Sequence, residues 1–377
     1  MLAHSESAPF GVGGKTKVDA KVRDAQRLIA RGGAIVSGFD PAEILGEIEA
    51  ALSPREHLDA KLTDVLVYRK GGHFARHKDT PRGPELVGTL VVGVPITHMG
   101  GAFHITEGAD QKIVDWSGKT PDRSRLPWVA MFSDVDHEIK PVTSGARVTL
   151  VYALTRSSRP RRDPGSDTTL AKLATLASRL PMPARGPLMI ACARHVITAD
   201  ETQPLGVEVL RGTDRVIAAL LIEHGFTVSV RSCVTAAMAY GRERTDRLRS
   251  EDVFSISRLS TSLTPKLIES LENVVTFVEL EEDEEDVMTL APYILDALPM
   301  DRWIIRKSAA ATLIHESVDF SEDGNYGNEG YEAHIYTLAA IEVTKPKAKA
   351  KAKAKAKAKP KTKAKPKAKV APAKKRR

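Results

Sequence analysis

TDVLVYRKGGHFARHKDT (Thr63–Thr80) is followed by GTLVVGVPITHMGGAFHI (Gly88–Ile105), KIVDWSG (Lys112–Gly118) and PWVAMFSDVDHEIKPVTSGARVTLVYAL (Pro127–Leu154). Short apolar, β-branched runs alternate here with Gly, Pro, Asp and Ser at intervals of roughly eight to twelve residues, the pattern of an all-β sandwich or barrel. No helix-length segment interrupts it.

Two histidines and an aspartate fall into this β pattern: His77 and Asp79, one residue apart, and His137 downstream. Residues i and i+2 of a strand point to the same side, so an imidazole and a carboxylate at that spacing converge on one point. A third ligand from a later antiparallel strand completes one face of a metal ion and leaves the opposite face open. Two His and one carboxylate with open positions is the ligand set of non-haem Fe(II) oxygenases. His-x-Asp alone is a weak signal, and Arg147 strengthens it. This residue opens the strand Arg147–Tyr152, after the turn-like Pro141–Gly145. A buried guanidinium there needs an anionic partner, because an unpaired buried charge is very costly. A bidentate carboxylate is the natural candidate.

His77-x-Asp79, His137 and Arg147, with the flanking HFARHKDT, GTLVVGVP, HMGGAFHI, DWSG and MFSDVDHEIKPVTSGARVTLVYAL, resemble the prolyl-4-hydroxylase-like branch of the iron(II)/2-oxoglutarate-dependent dioxygenases, and a two-domain subgroup within it. The similarity extends upstream to Phe10–Ala25 and, more loosely, downstream to His195, to LRGTD (Leu210–Asp214) and to YGNEGYE (Tyr326–Glu332). The resemblance implies an α+β chain: an N-terminal double-stranded β-helix (jelly-roll, cupin-like) barrel with supporting helices, and a second α/β or α+β domain. It also implies Fe(II) on His77, Asp79 and His137, 2-oxoglutarate as co-substrate on Arg147, O2 as oxidant and ascorbate in support. Tyr68 is either a second contact to the co-substrate carboxylate or a core tyrosine. The implied substrate is a protein side chain, proline first, oxidised at a C–H bond with succinate and CO2 as co-products. A nucleic-acid-directed oxygenase, a non-enzymatic cupin-like binding module and Zn2+-assisted hydrolysis in the same ligands stand as alternatives.

The chain's charge is unevenly spread. Lys345–Arg377 holds 15 Lys, 2 Arg and no acid, so the chain's net +8 conceals a net −9 over residues 1–344. Lys at every second position interrupted by Pro cannot build one helical stripe, and nothing apolar offsets the entropy of ordering. The segment is expected to be disordered and suited to nucleic acid through counterion release. Only Cys192 and Cys233 are present, which reads as buried thiols in a reducing compartment. No apolar run approaches 18 residues. The expected location is cytoplasmic, nucleoid-associated in a bacterium or nuclear in a eukaryote.

The expected boundaries are an N-terminal arm with supporting helices over 1–62, the barrel over 63–156, a linker over 157–167, the accessory domain over 168–344 and the tail over 345–377. Val18–Arg31 reads as a helix with Val18, Val22, Ala25, Leu28 and Ile29 on one face, and a second helix follows Asp40 as N-cap with Pro41 at its first position. His73 reads as a pocket or loop residue, His98 and His104 as surface or rim residues, and Gly100–Gly101 as a close approach or corner. Asp134 and Asp136 read as a polar turn or as contacts orienting His137. Further on, Leu170–Leu180 and Thr213–Gly225 read as helices, the latter with Ala218, Leu221 and Ile222 on one face. Pro187–Ala193 and Thr227–Val234 read as strands, and Glu279–Asp286, seven acids in eight positions, as an exposed loop.

Overall fold

The computed structural model describes residues 5–12, 15–28, 38–79, 83–107, 110–118, 126–159, 168–196, 205–238, 247–248, 253–259, 294–297, 302–305, 309–320 and 331–345. The acidic run 279–286, most of the 157–167 segment and the tail beyond 345 lie outside these residues. Within 1–346 the chain forms one compact unit.

Eight strands make the barrel: β1 (Leu58–Arg69), β2 (His73–His77), β3 (Leu86–Gly93), β4 (Phe103–Glu107), β5 (Asp110–Val114), β6 (Trp128–Phe132), β7 (Asp136–Ile139) and β8 (Val142–Arg156). One sheet runs β1-β8-β3-β6 and the other β5-β4-β7-β2. This alternation of strands between two facing antiparallel sheets is the jelly-roll arrangement. Period-2 alternation divides the side chains. Leu66 and Tyr68 point between the sheets with Phe74, Phe103, Met131 and Ile139. Val65, Val67, Val148 and Leu150 point outward, where they pack with Val87, Leu90 and Val92. A one-residue slip of β1 would exchange the two sets, so burial on both faces pins the register.

The outer face is capped by α1 (Ala42–Leu52), whose Ile48 and Leu52 are buried against it. Asp40 accepts the Ala42 N–H at 2.9 Å, but Pro41, with helical dihedrals, is the N-cap, so the helix begins one residue later than expected. Of the helix expected over 18–31, residues 29–31 lie outside the described residues, and 18–28 are not helical. Residues 19–22 form a single turn held by the Asp19 carbonyl, Arg23–Asp24 pairs with β2, and Gln26–Leu28 pairs with β1. Each sheet has an open edge here whose backbone groups need partners, and pairing satisfies them where a surface helix would not. Ala25 is buried in the barrel interior, whereas Val18, assigned to the same helical face, is 62% exposed. Phe10–Val12 and Lys15–Lys17 form a small antiparallel pair upstream.

Beyond the barrel, α2 (Thr168–Ser178) and α3 (Gly212–Glu223) accompany a further sheet. Its strands include β9 (Leu188–Ala191), β10 (Thr227–Met238), β11 (Val253–Leu259), β12 (Ala309–Phe320) and β13 (Tyr331–Thr344), ordered β12-β13-β10-β11 with β9 on β13. Leu170, Ala218 and Leu221 pack with Ile190, Val230 and Ile341 on one face of this sheet. Ile222, expected on the buried face of α3, is 46% exposed, so the helix turns a narrower stripe to the sheet than its periodicity suggests. Cys192 and Cys233 are buried and not disulfide-bonded. Among the described residues no helix is long and apolar enough to cross a membrane.

Candidate active site

β2 and β7 are antiparallel neighbours, and their register sets His77 opposite His137. The two imidazole centroids are 4.1 Å apart. Asp79 follows β2 and its N–H donates to the Ser133 carbonyl at 3.1 Å, which ties the chain after β2 to the turn before β7. The Asp79 carboxylate thereby comes to 3.8 Å from His137 Nε2, and one ligand atom from each of His77, Asp79 and His137 lies within 4.8 Å of the others.

Both imidazoles are held in one tautomer. His77 Nδ1 lies 2.8 Å from the Ala75 carbonyl, and His137 Nδ1 lies 3.0 Å from the Val135 carbonyl. A carbonyl only accepts, so Nδ1 carries a hydrogen and, in the neutral ring, Nε2 offers its lone pair. Thr89 donates its hydroxyl to Asp79 Oδ2, leaving Oδ1 turned toward His137. Burial, and then the neighbouring His137, push the His77 pKa down to about 3, so its ring is neutral at physiological pH. Phe74 stacks on that ring at 3.5 Å, with the Arg23 guanidinium 4.4 Å over the other aromatic centroid. Two bare imidazole nitrogens and one carboxylate oxygen around a common point fit a divalent transition metal with open positions. All three residues border a cavity of about 130 Å3.

Tyr68 and Thr149 form another part of the cavity wall. Arg147 is the pair partner of Tyr68 on β8 and lies two residues before Thr149, so all three share the inner face of the sheet. Arg147 is 1% exposed. Its guanidinium sits among the rings of Trp116 (5.1 Å), Tyr68 (5.8 Å) and Phe103 (6.0 Å). Burial lowers its pKa to about 10, against the pull of Tyr68 and Asp115. Neither terminal guanidinium nitrogen has a hydrogen-bond partner among the described residues, and the same holds for Tyr68 OH, Thr149 Oγ1 and His98 Nε2. Buried polar groups are almost always bonded, so such a group of orphans fits an anion with several acceptor oxygens. Gly100 and Gly101, both at positive φ, make the corner over this pocket, and a Cβ on Gly101 would meet Arg147 Cδ at 2.9 Å.

The spare histidines separate clearly. His73 bonds the carbonyls of Gly71 and Lys21, away from the cavity, and His104 lies 3.6 Å from Glu138. His98 is not on the surface or rim as expected: it is 7% exposed and pairs with Gly145 on the ladder that leads to Arg147. Gly145 lets the two strands approach closely here, since a Cβ on it would stand 2.6 Å from the Thr97 carbonyl oxygen. Neither Asp134 nor Asp136 bonds the His137 ring, whose Nδ1 faces the Val135 carbonyl; Asp134 lies in the polar turn before β7. Asp134 binds the backbone of His195, and Asp136 pairs with Arg76. Thr149 and Thr89 were not singled out by sequence. Thr149 carried a signal, two positions after Arg147 on an alternating strand, whereas Thr89 carried none.

No protein-family model matches this chain, and no curated protein matches it. Solved structures similar to it include a 2OG-Fe(II) oxygenase family oxidoreductase from Burkholderia pseudomallei, at 14% identity over 41% of this chain and 75% of that one, with a TM-score of 0.26. A Pseudomonas putida prolyl-4-hydroxylase has 20% identity, 37% and 76% coverage and a TM-score of 0.26. A Trichoplax adhaerens prolyl hydroxylase, in complex with a hypoxia inducible factor oxygen degradation domain peptide fragment, has 16% identity, 36% and 65% coverage and a TM-score of 0.24. At this distance the chemistry has to be read from the chain's own side chains.

Proposed function

We propose that this chain is an Fe(II)- and 2-oxoglutarate-dependent dioxygenase that oxidises a C–H bond of a macromolecule, a protein side chain first. The observation that carries the reading is the buried Arg147, its terminal nitrogens unpartnered among the described residues, opposite Tyr68, which lines the cavity that His77, Asp79 and His137 also border. Two of the rivals, a silent barrel and a zinc hydrolase, leave that guanidinium without a role.

In this reading His77, Asp79 and His137 hold Fe(II), which with 2-oxoglutarate supplies O2 activation and the oxidising equivalents, releasing succinate and CO2. The protein's residues do the rest. Hydrogen bonds to the Ala75 and Val135 carbonyls present each Nε2 without a tautomer change, and Thr89 sets the carboxylate oxygen that faces His137. Arg147 takes the far carboxylate of 2-oxoglutarate in a bidentate fork, with Tyr68 and Thr149 donating hydroxyls to it. His98 completes the pocket. Its Nδ1–H is given to the Ile96 carbonyl, and its buried Nε2 has no partner among the described residues. Phe74, Phe103, Met131 and Ile139 keep the interior apolar, which strengthens each of these contacts.

The test is succinate formation from 2-oxoglutarate by purified protein with Fe(II), ascorbate and air. Turnover that disappears in Asp79→Ala supports the reading, and wild-type protein that consumes no keto acid refutes it. A proline-containing peptide that accelerates succinate formation supports a protein substrate. Acceleration by single-stranded nucleic acid instead supports the nucleic-acid-directed alternative, which rests on the 345–377 tail.

A further inference from the structure

The sequence singles out His195 and Leu210–Asp214, yet neither touches the cavity. Asp214 lies in the first turn of α3 and is completely buried. Its Oδ1 accepts the Ala193 N–H at 3.1 Å and its Oδ2 the Arg194 N–H at 2.9 Å, so the carboxylate fastens the strap 193–195 to α3 by two charge-assisted bonds.

The strap then reaches across to the barrel. The His195 N–H donates to Asp134 Oδ2 at 2.9 Å. The Arg194 guanidinium lies 3.6 Å from Asp134, pairs with Glu107 at the end of β4, and covers the Phe132 ring at 4.3 Å. Lys78 Nζ donates to His195 Nε2 at 3.3 Å. The start of α3 presses on the same place. Gly212 has φ +53°, a Cβ there would stand 2.9 Å from the Phe132 ring, and Arg211 Nε donates to the Leu86 carbonyl at 2.7 Å.

Two of the points gripped in this way, Lys78 and Asp134, lie beside candidate ligands. Lys78 lies between His77 and Asp79. Asp134 stands three residues before His137, in the turn whose Ser133 carbonyl receives the Asp79 N–H. We infer that the second module forms the outer wall of the metal centre, with Asp214 a positioning residue that, through the Ala193–His195 strap and Asp134, fixes the loops bearing Asp79 and His137. This rests on the metal-site reading above. It gives the second module a place in the chemistry, since outer contacts that orient ligands are worth about 10- to 100-fold in metal affinity.

The experiment uses the full chain as wild type, Asp214→Asn, Asp134→Asn and Glu223→Gln. Glu223 makes a bidentate bond to Arg55, another tie between barrel and module, but touches neither ligand loop, so Glu223→Gln controls for general loosening. Co(II) affinity is titrated, and backbone hydrogen exchange of 132–139 and 76–80 is followed without metal. The expected result is about 10- to 100-fold weaker Co(II) binding and faster exchange of both segments in Asp214→Asn and Asp134→Asn, with Glu223→Gln like wild type. Asp134→Asn reads the contact from the barrel side should Asp214→Asn not fold. Wild-type Co(II) affinity in both variants, or exchange no faster than in Glu223→Gln, overturns the inference. If wild type binds no Co(II), the metal reading fails and the exchange measurement alone decides whether the strap holds these loops.

Discussion

A guanidinium that is buried and unbonded at both terminal nitrogens destabilises the ligand-free protein, and Arg147 is in that position. Arg147→Gln is therefore expected to weaken 2-oxoglutarate binding by roughly 2–4 kcal/mol, about 30- to 1,000-fold, while the apo variant melts no lower than wild type. A midpoint drop in the apo variant would show that Arg147 has a structural partner after all. His77 gives a pH signature. With its folded pKa pushed down to about 3, the metal-free protein keeps the ring neutral while the unfolded chain takes up a proton near pH 6.5. The unfolded state then binds more protons, so stability falls as pH drops from 6.5 toward 3, and His77→Gln should flatten that fall. Urea midpoints of metal-free protein at pH 7 and 4.5 check it, and an equally steep loss in the variant would contradict it. These residues were legible because strand period and charge cost are local arguments. His98 was not: His73, His98 and His104 look alike in sequence, and the ladder that pairs His98 with Gly145 is nonlocal.

Glycine at an element's corner is the next level of control. Gly101 has φ +74°, and a methyl there would collide with Arg147 Cδ. Gly101→Ala should thus raise the 2-oxoglutarate KM more than it lowers the melting midpoint, and an unchanged KM would show that the corner does not set the guanidinium. At α1, Asp40→Ala removes the side-chain bond to Ala42 and should cost about 1 kcal/mol, read as a denaturant midpoint with turnover unaltered. Alternation and turn residues made the all-β character of residues 63–156 and the helix following Asp40 readable in the sequence, but not the bounds of each strand. The 18–31 stretch was misread because its apolar spacing suits a helix as well as an irregular double edge strand, and what decided it was the unpaired edges of β1 and β2, which are nonlocal. Ile222 shows the same limit on α3.

Across the whole molecule, charge divides the chain into an acidic body and a strongly basic terminus. Removing residues 345–377 should leave succinate formation unchanged and abolish salt-sensitive binding to single-stranded nucleic acid, measured by anisotropy between 50 and 200 mM salt, a range over which counterion release changes affinity by roughly orders of magnitude. Retained binding would place the nucleic-acid surface elsewhere. Two strands and both helices beyond the barrel were visible in the sequence, while β11, β12 and β13 and the contacts to the ligand loops were not; Asp214, Arg194 and Asp134 are far apart in the chain and meet only after folding. The claim beneath all of this is that a keto diacid fills the space between three ligands and one arginine. Calorimetric titration of 2-oxoglutarate into full-length protein loaded with Mn(II), an oxygen-insensitive substitute for Fe(II), tests it directly. The account predicts one site per chain that needs the metal and is lost or greatly weakened in Arg147→Gln; binding that is indifferent to both metal and Arg147, or no binding at all, would contradict it.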